Sequence, residues 1–220
     1  MKREVVNTAD GSKTIRIIDL DENYHSSHGA LQEAEHVFIK YGLLSCEKDN
    51  INIFEMGFGT GLNAFLTAKH NLSLGKEIFY HGVEAFPVDA KELKALNYST
   101  LLGGDYENLY DKIHEVVWNE IQVINNEFKL LKSENTLQEL DLEPSFYDVI
   151  YYDAFGPRAQ DEMWSIELFE KMYNCLQKGG FLVTYCAKGQ VKRNMKAVGF
   201  EIEPLPGPPG KREMTRAWKR

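Results

Sequence analysis

At 220 residues, with 43% hydrophobic and 26% charged side chains, the chain suits one sizeable α/β domain with a small appendage and excludes a disordered or fibrous protein. No run approaches the ~18 apolar residues of a membrane span; the polar start MKREVVNTADGSKT is no secretory leader, and Cys46, Cys175 and Cys186 form no CxxC pair. A cytoplasmic protein with no zinc framework and no membrane partner is therefore expected.

In chain order, the alternation of Lys13-Thr14-Ile15-Arg16-Ile17-Ile18 predicts a small antiparallel hairpin over residues 1–23. The spacing of Ala30, Ala34, Val37, Phe38 and Tyr41 predicts a helix over 29–42 with Gly42 as its C-cap. Residues 1–45 thus form a hairpin-and-helix extension, followed by a main domain over 46–220. That domain opens with an apolar strand, Ile51–Met56, a glycine cluster at 57–61 and a helix over 62–72. A strand over Ile78–Glu84 follows, then a helix opened by Pro87 and an acidic, helical insertion at about 97–127. Phe128–Leu131 and Tyr147–Tyr152 supply further strands, and Gly179-Gly180 ends a helix over about 162–177 before the strand Phe181–Cys186. Glu201–Arg220 reads as two strands joined by the stiff loop Pro204–Gly210. Strands alternating with helices predict parallel βαβ units. The expected fold is α/β and Rossmann-like: a mostly parallel sheet with a terminal antiparallel hairpin and a small N-terminal β extension.

The net charge of −8 argues against bulk nucleic-acid affinity, yet residues 188–220 carry nine lysines and arginines against three acidic residues. That balance is compatible with a local phosphate contact and equally with solvated faces.

Glu55-Met56-Gly57-Phe58-Gly59-Thr60-Gly61 stands where a strand turns into a helix. Glycines there allow positive φ and close approach of backbone to a ligand. Glu84 ends the next strand, placed to accept hydrogen bonds from ribose hydroxyls. Two cofactor classes fit this geometry, a nicotinamide dinucleotide and S-adenosylmethionine. The dinucleotide fingerprint G-x-G-x-x-G is not met, because Leu62 occupies the third glycine position. A carboxylate at Glu55 would repel a pyrophosphate and attract the ammonium and sulfonium of S-adenosylmethionine. The motif therefore favours the methyl donor, in a Rossmann-like class I methyltransferase. The expected cofactor-binding set is Glu55, Gly57, Phe58, Gly59, Gly61, Asn63 and Glu84, with Glu134 for the adenine, although its surroundings depart from the usual Gly-Asp pair.

Asp153-Ala154-Phe155-Gly156-Pro157 follows the strand Tyr147–Tyr152. Methyl transfer to nitrogen needs a neutral lone pair aimed at the methyl carbon, and a carboxylate such as Asp153 holds the amine N–H and offsets the developing charge. Asp153 is the expected catalytic residue, or else a loop carboxylate; Phe155 could stack on a base and Pro157 fix the loop. Asp161 and Glu162 read as first-turn helix residues. Tyr24-His25-Ser26-Ser27-His28, with Glu33 and His36, offers three alternatives: a metal site, satisfied polar side chains, or contacts to cofactor or substrate, the last through Tyr24 and His25. No metal is expected.

These motifs, together with Leu205-Pro206-Gly207-Pro208-Pro209-Gly210-Lys211-Arg212-Glu213-Met214-Thr215-Arg216, resemble the methyltransferase domain of the tRNA 5-methylaminomethyl-2-thiouridine biosynthesis family over nearly the whole chain. The resemblance implies S-adenosylmethionine-dependent methylation of the 5-aminomethyl group on the wobble uridine, with the tRNA anticodon stem-loop as partner. It also implies Asp153 as the catalytic carboxylate and Lys211, Arg212 and Arg216 near RNA. A flavin oxidase follows in two-domain members; with this chain ending at Arg220, a separate enzyme is expected to supply the aminomethyl substrate. A methyltransferase for a small-molecule or protein amine, and a non-catalytic cofactor-binding partner protein, are the alternatives.

Overall fold

Alternating side chains build the first three strands: β1 (Arg3–Asn7) and β2 (Lys13–Ile17) pair antiparallel with Val5 opposite Ile15, and β3 (Glu22–Asn23) adds to β2. These coordinates, a computed structural model, describe residues 2–103 and 106–220. The expected N-terminal β extension is thus a three-stranded sheet. Helix α1 (Ala30–Ala34) runs on into a π-helical turn over Glu35–Lys40, where the Tyr41 N–H donates to His36 O at 3.3 Å. The C-cap is Tyr41, one residue before the Gly42 expected. The Gly42 φ is −99°, and a side chain there would collide with the Phe38 carbonyl and the Tyr151 ring.

Then come β4 (Asn50–Met56), α2 (Leu62–Leu74), β5 (Glu77–Glu84), α3 (Ala90–Ala95), α4 (Tyr98–Leu101), α5 (Glu107–Glu115), β6 (Ile121–Asn125), β7 (Phe128–Glu134) and β8 (Tyr147–Tyr152). A 3₁₀ turn at Asp161–Trp164 leads into α6 (Ile166–Cys175), β9 (Leu176–Thr184), α7 (Gly189–Ala197), β10 (Glu201–Pro206) and β11 (Glu213–Trp218). The eight strands β4–β11 lie in the order β10-β11-β9-β8-β4-β5-β7-β6. The five central strands are parallel; β6 and β11 run antiparallel to them, and β10 pairs antiparallel with β11 at the far edge. Successive connections turn one way from β4 and the other way from β8, so the crevice of this open sheet falls between β4 and β8.

Both faces are covered, which is why β8 is buried at every position. Val149 and Tyr151 pack with α1, α2 and Tyr110 of α5, whereas Ile150 and Tyr152 pack with Phe169 of α6 and Val191 of α7.

Several local expectations are corrected. Asp89, not Pro87, starts α3: its side chain accepts from the Glu92 N–H and Glu92 reciprocates, a capping box. Gly179-Gly180 lie inside β9, where the register with β8 shifts, and α6 has already ended at Cys175. The expected insertion at 97–127 carries α4, α5 and the edge strand β6 within the β5-to-β7 crossover; its Gly104 and Asp105 lie outside the described residues. The terminal hairpin forms as expected, and Pro204 and Pro206 are tolerated because β10 is an edge strand.

Candidate cofactor and catalytic site

The carboxyl ends of β4, β5 and β8 converge on a cavity of about 280 Å³. After β4 the chain must turn sharply into α2, and it does so with positive φ at Gly57 (88°), Gly59 (50°) and Gly61 (68°). The turn is tied to both neighbouring strands. The Gly57 and Phe58 N–H groups donate to Val83 O at 3.2 and 3.0 Å, and the Asp153 N–H donates to Met56 O at 3.0 Å. A Cβ on Gly57 would sit 2.7 Å from the Asp153 carbonyl oxygen, and one on Gly59 would press on the Tyr24 ring at 3.0 Å. Gly57, Phe58, Gly59 and Asn63 line the cavity.

Gly61 does not. It faces α5, where a Cβ would stand 2.7 Å from His114 Cε1. Glu84 lines the cavity and accepts one backbone N–H on each oxygen, from Gly59 and Phe86, both at 2.9 Å. Each oxygen keeps a lone pair for a further donor.

Glu55, expected to face the cofactor, does not line the cavity. It is fully buried beneath the turn, off the cavity wall, and neither carboxyl oxygen has a hydrogen-bond partner. Burial pushes its pKa well above the usual carboxylate value, with the Asp153 and Glu84 charges adding to the shift. Glu134 is also misplaced by the sequence reading. It is exposed, its N–H donates to Asn119 Oδ1 at 3.0 Å, and the wall beyond β7 is made by Asn135, Thr136, Leu137 and Gln138 instead.

Tyr24 and His25 line the cavity, but the three histidines disperse. His25 shares a hydrogen bond with Thr14 Oγ1 at 3.1 Å, and burial lowers its pKa to about 4. His36 Nε2 donates to Pro206 O at 2.8 Å, and His28 packs against Gly210. Among the described residues no group of three His, Cys, Asp or Glu side chains is placed to hold a metal ion.

Asp153 stands at the end of β8 on the cavity wall and accepts a hydrogen bond from Asn63 Nδ2 at 2.9 Å. Burial first, then the Glu33 charge, raise its pKa to about 7 against the lowering effects of Asn63 and Lys211. The next residues turn outward. Phe155 stays on the cavity wall, edge-on to Tyr24 with ring centroids 5.3 Å apart. Gly156, Pro157 and Arg158 border an open groove of about 720 Å³ with Lys188, Lys211 and Arg212. Lys211 donates to Glu33 at 2.9 Å and lies 3.7 Å over the Tyr185 ring, whose hydroxyl donates to Ala154 O at 2.8 Å. Arg216 is not on this groove. Its Nε donates to Glu203 at 2.8 Å and its guanidinium lies 4.9 Å from the Trp218 ring centroid.

Sequence reasoning missed Tyr110 and His114 on α5, which buttress the glycine turn: the Tyr110 hydroxyl donates to Thr60 O at 3.0 Å. Their helical spacing, i and i+4, was the available signal. Glu162, expected only to open a helix, also lines the cavity.

A glycine-lined cavity at the switch point of a seven-plus-one-stranded sheet, with an acid ending β5 and another ending β8, is the constellation of a methyl-donor enzyme. The family model for S-adenosyl-L-methionine-dependent methyltransferases matches residues 105–220, and the chain belongs to that family, with S-adenosylmethionine as its cofactor. Among curated proteins, the tRNA 5-methylaminomethyl-2-thiouridine biosynthesis bifunctional protein MnmC of Marinomonas sp. (strain MWYL1) is 31% identical over 213 residues, covering 89% of this chain and 31% of that protein. The protein of that name from Methylobacillus flagellatus is 31% identical over 211 residues, 87% of this chain and 31% of its own. The chain therefore spans about a third of the length of these relatives. Among solved structures, MNMC2 from Aquifex aeolicus superposes with a TM-score of 0.79 at 23% identity, covering all of this chain and 70% of that one. A methyltransferase from Pyrococcus furiosus gives 0.51 at 16% identity over 92% of this chain and 90% of that one.

The residues fit the cofactor. The glycine turn presents bare backbone at Gly57 and Gly59 to the cavity, Glu84 retains acceptor capacity for ribose hydroxyls, and Asn63 Oδ1 is a buried acceptor with no protein partner.

Proposed function

We propose that this protein methylates the 5-aminomethyl group of the wobble uridine of tRNA, with the base inserted between the cavity and the basic groove. The observation that carries this reading is the position of Asp153: its carboxyl lines the cavity while the next turn, Gly156–Arg158, borders the groove. A base splayed from a single-stranded anticodon loop enters such a cleft at little unstacking cost. The names of the curated relatives point to the same nucleoside.

S-adenosylmethionine, held by Gly57, Phe58, Gly59, Asn63 and Glu84 with Tyr24 and His25, supplies an electrophilic methyl group. Asp153 does the rest of the orientation. As a carboxylate it accepts an N–H of the substrate amine, aims the lone pair, and offsets positive charge as the new bond forms. With a pKa of about 7, it can also take the amine's proton. Phe155 and Tyr24 present an aromatic corner for the uracil ring. Arg158, Lys188, Lys211 and Arg212 offer cations to the phosphates; Arg216, tied to Glu203, is not in this set. The substrate must come from an enzyme that leaves a free aminomethyl group on the uridine.

The test is mass spectrometry of nucleosides from tRNA incubated with the protein and S-adenosylmethionine. The reading requires one added methyl on 5-aminomethyl(-2-thio)uridine. Unchanged tRNA, together with label transferred to a small-molecule or protein amine, would remove it.

A further inference from the structure

Arg3, the first residue of β1, lies off the cavity wall yet ties two of its sides together. It stands directly opposite Ile17 of β2. Side chains of such antiparallel partners share one face of the sheet, and Ile17 is on the cavity wall with Leu20, Tyr24 and His25. From that face the guanidinium crosses to the segment after β5. Its Nη2 donates to Phe86 O at 2.9 Å and its Nη1 to Glu92 Oε2 at 3.2 Å, while the guanidinium carbon lies 5.7 Å from the Tyr24 ring centroid, within cation–π range. Nε has no partner, so the two terminal nitrogens alone hold the group.

The Phe86 peptide carries this tie inward. Its carbonyl accepts from Arg3, and its N–H donates to Glu84 Oε1 at 2.9 Å. The other Glu84 oxygen accepts from the Gly59 N–H, also at 2.9 Å. Tyr24 stands over that same glycine, where a Cβ would come within 3.0 Å of its ring. Arg3 therefore reaches both the ring that covers the glycine turn and the peptide that orients the acid beside it.

The N-terminal sheet has few other ties to the main domain. Among the described residues, no backbone–backbone hydrogen bond joins residues 2–28 to anything beyond residue 29. The sheet docks through side chains, with Arg3 at the open end of the hairpin and Asn97 at its turn. The Asn97 amide donates to Gly11 O at 3.1 Å and its Oδ1 accepts from the Lys13 N–H at 2.8 Å.

We propose that Arg3 is a positioning residue for the methyl donor: it clamps the N-terminal sheet to the turn after β5 and so holds Tyr24 and Glu84 at the spacing the donor requires. This rests on the assignment of the cavity, and of Glu84 within it, to S-adenosylmethionine. Charge separates this role from direct attraction. The donor carries an ammonium and a sulfonium against one carboxylate, so a nearby cation repels it, and removing Arg3 would tighten binding if charge were its whole effect. Loosening the clamp acts in the opposite direction.

The test is calorimetric titration of S-adenosylmethionine into Arg3→Met and Asn97→Ala, with thermal melts of both. Each variant removes a side-chain tie of the same sheet, but Asn97, Gly11 and Lys13 are off the cavity wall. Both melting temperatures should fall. The Kd should weaken about tenfold in Arg3→Met and stay within about twofold in Asn97→Ala. An Arg3→Met Kd at or below the wild-type value, or equal losses in the two variants, would overturn the proposal.

Amide exchange in the donor-free protein gives a second measurement that needs neither donor nor tRNA. The Phe86 N–H should exchange at least about fivefold faster in Arg3→Met and at the wild-type rate in Asn97→Ala. Unchanged exchange in Arg3→Met would remove the clamp itself. Faster exchange with an unaltered Kd would keep the clamp but part it from the donor, and the proposal would fail on that side instead.

Discussion

In the proposed reaction Asp153 holds the substrate amine, and its environment sets the pH at which it would do so. Burial raises its pKa to about 7, so below that value the carboxyl is protonated and neither offsets the developing positive charge nor takes the amine's proton. Turnover should rise as pH increases through about 7, and the rate profile of Asp153→Asn should lose this inflection along with at least tenfold in kcat. A profile unchanged by the substitution would remove Asp153 from the proton inventory. The residue was legible in the sequence because a lone carboxylate between Tyr152 and a Phe-Gly-Pro turn can only sit at a strand end. The electrostatic sense of Glu55 was not. Its place in the motif suggests an anion, but whether a carboxyl faces a cavity or lies under it depends on the pleat of β4, which puts Glu55 on the α2 side. Glu134 and Arg216 failed for the same reason, since one residue of register moves a side chain to the other face.

At the scale of elements, α5 turns out to be the support of the glycine turn rather than part of an appended insertion. His114 is half-buried, its pKa depressed to about 3 chiefly by desolvation, and it abuts Gly61 while Tyr110 holds Thr60. Gly61→Ala should cost about 1–2 kcal/mol from its left-handed φ alone, with a further penalty from the His114 ring. The double variant Gly61→Ala/His114→Ala should recover that second part, so thermal melts of the four proteins should show a favourable coupling. Strict additivity would mean the two elements do not press on each other. The central strands and α2 were readable because their apolar runs end in glycine or proline. β6 and α7 were not. Ile121 and Val123 on β6 are exposed, so no inward alternation marks the strand, and α7 buries only Val191 and Met195 and has no side-chain cap. Gly179-Gly180 read as a helix end because a glycine pair does that more often than it shifts the register of a strand.

At the scale of the molecule, three half-buried or buried histidines, His25, His81 and His114, are held neutral by desolvation. His81 shows the consequence most cleanly, wedged between the Tyr147 hydroxyl at 2.6 Å and Ser133 Oγ at 2.8 Å. Its pKa falls from 6.5 to about 4, so its contribution is complete above pH 6.5 and is lost as pH drops toward 4. The stability gap between wild type and His81→Phe should therefore narrow on acidification, by up to about 3 kcal/mol, as read from urea melts across that range. A gap independent of pH would show that the ring titrates alike in the folded and unfolded chain. The body is acidic, and the cations cluster at the groove; tRNA affinity should fall with salt, and Arg158→Ala or Lys188→Ala should each lower the slope of log K against log salt by about 0.7 for a single-stranded contact. An unaltered slope would move the phosphates elsewhere.

The groove also depends on residues from opposite ends of the sequence. Lys211 reaches back to Glu33, and Pro206 accepts from His36 on the π-helical turn. A chain that has emerged only as far as Tyr185 already contains every wall residue of the cofactor cavity, yet neither latch exists, and the rim lacks Lys211 and Arg212, until the last hairpin is released. The walls of the cofactor cavity are thus complete before Lys211 and Arg212 reach the groove, so a chain lengthening from its N-terminus gains the cavity residues first and the full set of groove cations last.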